Sequence, residues 1–116
     1  ILHKAMGLGM EAAQTGAPDS DVAKAINGTF IEYGYAEYCR PPFMRVRGHG
    51  LGCGSFAPGS LEDDNKTKLE EGMTFIIHPN QYVPETGYLT LGDTVVMGKS
   101  QAESLMRSSW DIHIKE

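Results

Sequence analysis

The chain has 116 residues, 41% of them hydrophobic and 22% charged, with a formal net charge of −5. That balance suits one modest globular domain or a large piece of one, and it excludes the disordered, collagen-like and disulfide-scaffold classes. An acidic chain with scattered lysines and arginines offers no basic face to a nucleic acid, no apolar run approaches the roughly 20 residues that span a bilayer, and no basic-plus-apolar leader opens it.

Cys39 and Cys53 are the only cysteines and match no zinc spacing, so two reduced thiols in a cytoplasmic protein are expected. The chain opens on Ile1-Leu2-His3-Lys4, without methionine and inside a helical pattern, which points to a fragment. Leu2, Met6, Gly9 and Ala13 recur at spacings of three and four and predict a helix over residues 1–15, ended by Gly16 and Pro18. Asp19 or Ser20 is placed to cap a second helix. Its buried stripe is Val22, Ile26, Phe30 and Tyr33, and its stop is Gly34. Both stripes need a larger surface to cover, and a sheet is the natural one.

Residues 47–60, "RGHGLGCGSFAPGS", surround His49 with Gly48, Gly50 and Gly52, which would allow close approach of a substrate or unusual backbone dihedrals. The alternative is a tight bend with His49 pointing at solvent. Residues 61–72, "LEDDNKTKLEEG", read as a solvated, charged connector with a turn at Gly72, and Met73 to Ile77 as a buried strand. His78 and Pro79 follow that strand directly, where a rigid scaffold projects side chains into loops. A histidine that merely bonds the next loop is the equal alternative.

"NQYVPETG" has the Pro and Gly of a hairpin connection, and residues 88–97, "YLTLGDTVVM", read as one strand interrupted at Gly92. Asp93 inside that strand needs a partner, because an unpaired carboxylate in a strand interior is costly. Trp110, Ile112 and Ile114 alternate with Asp111 and His113 and predict a last short strand, while His3 and His113 read as surface residues. Two helices followed by strands make an α+β domain.

His49, His78 and Asp93 are thus the candidate site residues. Two histidines and an aspartate match the ligand count of a catalytic zinc or iron centre, though no compact motif gathers them. Cys53 near His49 is a conceivable nucleophile, and a buried inert thiol is the commoner case.

Taken in order, "GHGLG", "LEEGMTFIIHPNQYVPETGY" and "LGDTVVM" followed by "AESL" resemble the C-terminal half of the pita-bread domain. Methionine aminopeptidase, Xaa-Pro aminopeptidase, prolidase and creatinase share that domain. Its pattern is a Gly-His-Gly turn, a Leu-x-x-Gly-Met strand ending in Glu-Pro, and a strand carrying Glu-Asp-Thr. The helix pair with its Gly-Ala-Pro connection is similar too, so the resemblance covers nearly the whole chain. It implies an α+β pita-bread fold with helices packed on a curved antiparallel sheet. Residues 1–116 would then be the C-terminal part of a catalytic domain whose upstream hairpin and N-terminal domain lie outside this chain.

The resemblance further implies five metal ligands in the peptidases: two aspartates on the upstream hairpin, one histidine and two glutamates. His49 matches the histidine, His78 stands where the first glutamate belongs, and Gly92 stands where the second belongs. Asp93 matches a residue that follows the second glutamate and is not a ligand. Phe56 and Ala57 lie near the place where many members carry a substrate-contacting His followed by Glu. With both glutamates replaced, no dinuclear metal centre and no cofactor are expected, and a mononuclear metal at His49 and His78 is the weaker alternative.

The expected function is a creatinase-like or Xaa-Pro peptidase-like hydrolase cleaving a C–N bond of a small, anionic or zwitterionic substrate or dipeptide. His49 and His78 would be catalytic and, with Asp93, would bind substrate. The alternative is a pseudoenzyme or small-molecule binding module that kept the fold and lost the reaction. The missing upstream segment of the same protein and a second copy in a homodimer are the partners the resemblance implies.

Overall fold

The computed structural model describes residues 1–52 and 57–115, so Cys53 and Phe56, singled out above, lie outside the described residues. Helix α1 spans Leu2–Ala12 and helix α2 spans Asp19–Glu32. Of the face the spacing predicts, Met6 and Gly9 are buried on α1, joined by Ala5, whereas Leu2 is half-buried and the buried Ala13 lies beyond a helix that stops at Ala12. A Cβ at Gly9 would lie 3.0 Å from the Ile26 side chain and 3.5 Å from that of Ile77, so glycine there lets α1 settle onto both α2 and the sheet. Val22, Ile26 and Phe30 are fully buried on α2. Tyr33 is not part of that stripe: the helix ends at Glu32, and Tyr33 is 49% exposed.

The start of α2 also differs from expectation. Neither Asp19 nor Ser20 is the cap; Pro18 takes the position and no side chain bonds the first amides. The Asp19 and Ser20 amides instead donate to the carbonyls of Thr67 (2.8 Å) and Asn65 (3.1 Å). Backbone from residues 61–69 therefore does the work of the cap. That stretch is more than a solvated connector. Leu61 and Leu69 are fully buried, and Leu69 exchanges backbone bonds with Gly16 (2.7 Å) and Ala17 (2.8 Å). The charges mark only its outer side.

A short 3-10 turn at Ala36–Tyr38 leads to the strands: β1 Gly48–Gly50, β2 Thr74–Ile77, β3 Gln81–Val83, β4 Gly87–Leu89, β5 Asp93–Met97 and β6 Ala102–Ser104. The main sheet has the order β1-β2-β5-β6, antiparallel throughout, and β3-β4 is a separate hairpin inserted between β2 and β5. The single strand expected over residues 88–97 is thus two strands in two sheets. Tyr88 pairs with Tyr82 and Asp93 with Ile77, and Gly92 lies at the changeover. The 80–87 connection likewise contains β3, and its turn is confined to residues 84–86, closed by a Thr86 to Val83 bond of 3.1 Å.

The strand expected at 110–114 is absent. Ile112 and Ile114 are 90% and 84% exposed, since an alternating pattern becomes a strand only where a neighbour takes its hydrogen bonds. The helices cover one face of the main sheet, where Phe75, Ile77, Val95 and Met97 meet Met6, Val22, Ile26 and Phe30. Period-two alternation turns Thr74, Ile76, Thr94 and Val96 to the opposite face. Among the described residues no helix is long and apolar enough to cross a membrane.

Candidate active site

The site grows from how closely β1 lies on β2. Gly48 has φ +156°, and a Cβ there would stand 2.0 Å from the Ile76 carbonyl oxygen and 2.5 Å from the Leu61 side chain. Only glycine fits. The register that follows sets His49 opposite Ile76 and Gly48 opposite Ile77. His78, one residue beyond β2, then falls beside His49, and the two imidazole centroids are 5.5 Å apart at 61°. On the other edge of β1, Gly59 accepts from the Gly50 amide and Leu61 donates to Gly48, both at 2.9 Å, which brings Ser60 alongside His49. The resulting cleft of about 410 Å³ is lined by Arg45, Val46, His49, Ser60, His78 and Tyr88.

The His49 Nδ1 atom lies 3.0 Å from the Gly50 carbonyl, which can only accept, so Nδ1 carries the proton and Nε2 keeps a lone pair in the neutral ring. The His78 backbone N–H donates to the Arg47 carbonyl at 2.8 Å, and the His78 carbonyl accepts from Asn80 at 2.7 Å. Its ring Nδ1 is buried and, among the described residues, has no hydrogen-bond partner. Burial pushes the His78 pKa below the ordinary histidine value, and the neighbouring His49 and Arg47 add to the fall. A neutral imidazole beside another with a set tautomer can accept a proton and return it.

Asp93 is not brought to this cleft. It alternates with Val95 and Met97 on the buried face, and its carboxylate accepts from Ser104 Oγ (2.8 and 2.9 Å) and Trp110 Nε1 (2.8 Å). There it ties β6 and the following tail to the sheet. His3 is exposed as expected but has neighbours, with its ring edge-on to Trp110 at 5.6 Å and Nε2 3.5 Å from Asp111. His113 and Ala57 are exposed. Arg45, Ser60 and Tyr88 were not singled out by the sequence. Arg45 is close enough to the Gly-His-Gly turn to have been a candidate, whereas the other two arrive through pairing and carry no local signal.

The description of metallopeptidase family M24 matches residues 1–99. The chain belongs to metallopeptidase family M24. Among proteins it resembles, the putative dipeptidase YkvY of Bacillus subtilis is 33% identical over 105 residues, covering 90% of this chain and 28% of that protein. The prolidase from Pyrococcus furiosus superposes with a TM-score of 0.81 at 28% identity, over 93% of this chain and 31% of the other. Dipeptidase PepE from Mycobacterium ulcerans gives 0.83 at 26% identity, over 96% and 29%. The fold is the pita-bread fold over the part these proteins share, and the chain spans less than a third of their length.

Three of the five ligand positions that the resemblance implies lie in this chain, and the residues at two of them do not suit a dinuclear metal centre. Two of the five implied ligand positions fall outside this chain. At the positions the resemblance gives to the two glutamates stand His78 and Gly92, and a Cβ at Gly92 would meet the Ile76 side chain at 3.3 Å and the His78 Cβ at 3.7 Å. Among the described residues no three His, Cys, Asp or Glu side chains gather as a metal cage. Two imidazole rings supply none of the negative charge that holds a pair of divalent cations together.

Proposed function

We propose that residues 1–116 are the C-terminal part of the catalytic domain of an M24-type hydrolase that cleaves a C–N bond of a small substrate or dipeptide without a dinuclear metal centre. The observation that carries this reading is the His49–His78 pair, 5.5 Å apart in a cleft whose lining, among the described residues, includes Arg45 and no carboxylate. The names of the relatives support a peptide or amide bond as the target. Positive and neutral lining suits an anionic or zwitterionic substrate, with Arg45 as the charged contact. One imidazole accepts a proton from water as its oxygen adds to the carbonyl carbon. The protonated ring then returns that proton to the departing nitrogen as the C–N bond breaks.

The replacement of two carboxylates by His78 and Gly92 favours a second reading, a binding module without turnover. Assays of the full-length protein against Xaa-Pro dipeptides, creatine-like compounds and other small amides separate the two. The hydrolase reading expects turnover that falls about 10²- to 10⁴-fold in His49→Ala and in His78→Ala. Saturable binding with no turnover of any of these compounds supports the binding module instead.

A further inference from the structure

Arg47 is the largest of the fully buried side chains among the described residues, and no carboxylate touches its guanidinium there. A buried cation is tolerated only when its donors are met. Nε donates to Asn27 Oδ1 (2.6 Å), Nη1 to the Asn80 carbonyl (2.7 Å) and Nη2 to Gln81 Oε1 (2.7 Å), and the Phe30 ring lies 4.9 Å from the guanidinium carbon. Both amide acceptors are themselves held in orientation. Asn27 Nδ2 donates to Asp63 at 2.9 Å, and Gln81 Nε2 donates to the carbonyls of Tyr38 (2.8 Å) and Tyr82 (3.0 Å).

The main chain of the same residue completes a ring. The Arg47 carbonyl accepts the His78 amide at 2.8 Å, while the Arg47 Nη1 donates to the Asn80 carbonyl. His78, Pro79 and Asn80 are therefore enclosed between the backbone and the side chain of one residue, two positions before His49. A residue needed only to fill the core would have no reason to close around the segment that carries His78.

We propose that Arg47 is a positioning residue for the His49–His78 pair, its forked guanidinium and its carbonyl together setting where β2 ends and so the spacing of the two imidazoles. This rests on the hydrolase reading for its kinetic consequence and on the clasp alone for its structural one. The fork is essential, because lysine supplies the charge and the stem but cannot meet three divergent acceptors at once.

The test is Arg47→Lys in the full-length protein, followed by NMR of the two histidine rings and by steady-state kinetics. The expected result is a cooperatively folded variant that loses the ring-to-ring nuclear Overhauser contact and shifts the His78 amide resonance. Its kcat should fall about 10²-fold, as displacement of a reacting group does, with KM changed less than about 2-fold. A folded variant that keeps the contact and the amide position overturns the clasp. Should Arg47→Lys not fold, Asn27→Ala removes one of the three oxygen acceptors. It must show the same changes in smaller degree, and wild-type NMR spectra of the histidines in that variant also overturn it. If the wild-type protein turns over no substrate, the hydrolase reading fails while the NMR arm still decides the role of Arg47.

Discussion

Asp19 shows how far a single residue can depart from its local role. Its sequence position suggests a helix cap, yet the side chain is buried, with Oδ2 accepting from Asn65 at 2.6 Å and Oδ1 without a partner among the described residues. Burial, reinforced by Glu62 and Asp64, raises its pKa to about 7. Between about pH 4 and 7 the folded chain holds a proton that the unfolded chain has released. The contribution to stability is therefore complete below about pH 4 and is lost as pH rises through 7. Thermal melts across that window should show Asp19→Asn removing a fall in Tm that the wild type displays. An unchanged difference between pH 5 and pH 8 in the variant would assign the effect elsewhere. Glycines around His49 and a strand end before His78 single out these two positions in the sequence, and the fold sets their rings 5.5 Å apart. Ser60 and Tyr88 are not singled out, since partners 11 and 39 positions from His49 join it only through long-range pairing.

Elements were legible where a period is long enough to register. The 3.6-residue period of α1 and α2 and the apolar run of β2 gave their places, while strands of three residues such as β3, β4 and β6 carry too few positions to alternate. Residues 88–97 look continuous because nothing in composition records a change of sheet; only Gly92 hinted at the break. The 61–72 strap misleads in another way. Its seven charged residues hide two leucines that anchor it, and the carbonyls of Asn65 and Thr67 between them take the first amides of α2. Urea denaturation of two neighbouring variants tests that assignment. Leu69→Ala should destabilise by about 2–5 kcal/mol, the usual range for a fully buried leucine, and the exposed Glu70→Ala by no more than about 0.5 kcal/mol. Equal, small effects would return the strap to the status of a solvated connector.

At the scale of the whole molecule, the family was readable from the order of three motifs, and the sheet explains why that order matters. β1, β2 and β5 are the three adjacent strands that carry them, so positions 49, 78 and 92 converge on one region although they are far apart in the chain. What the motifs alone could not convey is the geometry: a pair of imidazoles 5.5 Å apart, one of them with its pKa lowered by burial, and Arg47 bonded to both ends of the segment from His78 to Asn80. The core of the pita-bread scaffold lies on the other face of the sheet, among Phe75, Ile77, Val95 and Met97, apart from the two imidazoles. The most direct test of a metal-free site is turnover of the full-length protein measured together with its metal content, before and after chelation. Turnover that is unchanged as bound metal falls to zero is the predicted result; turnover that disappears on chelation and returns in proportion to added metal would contradict it.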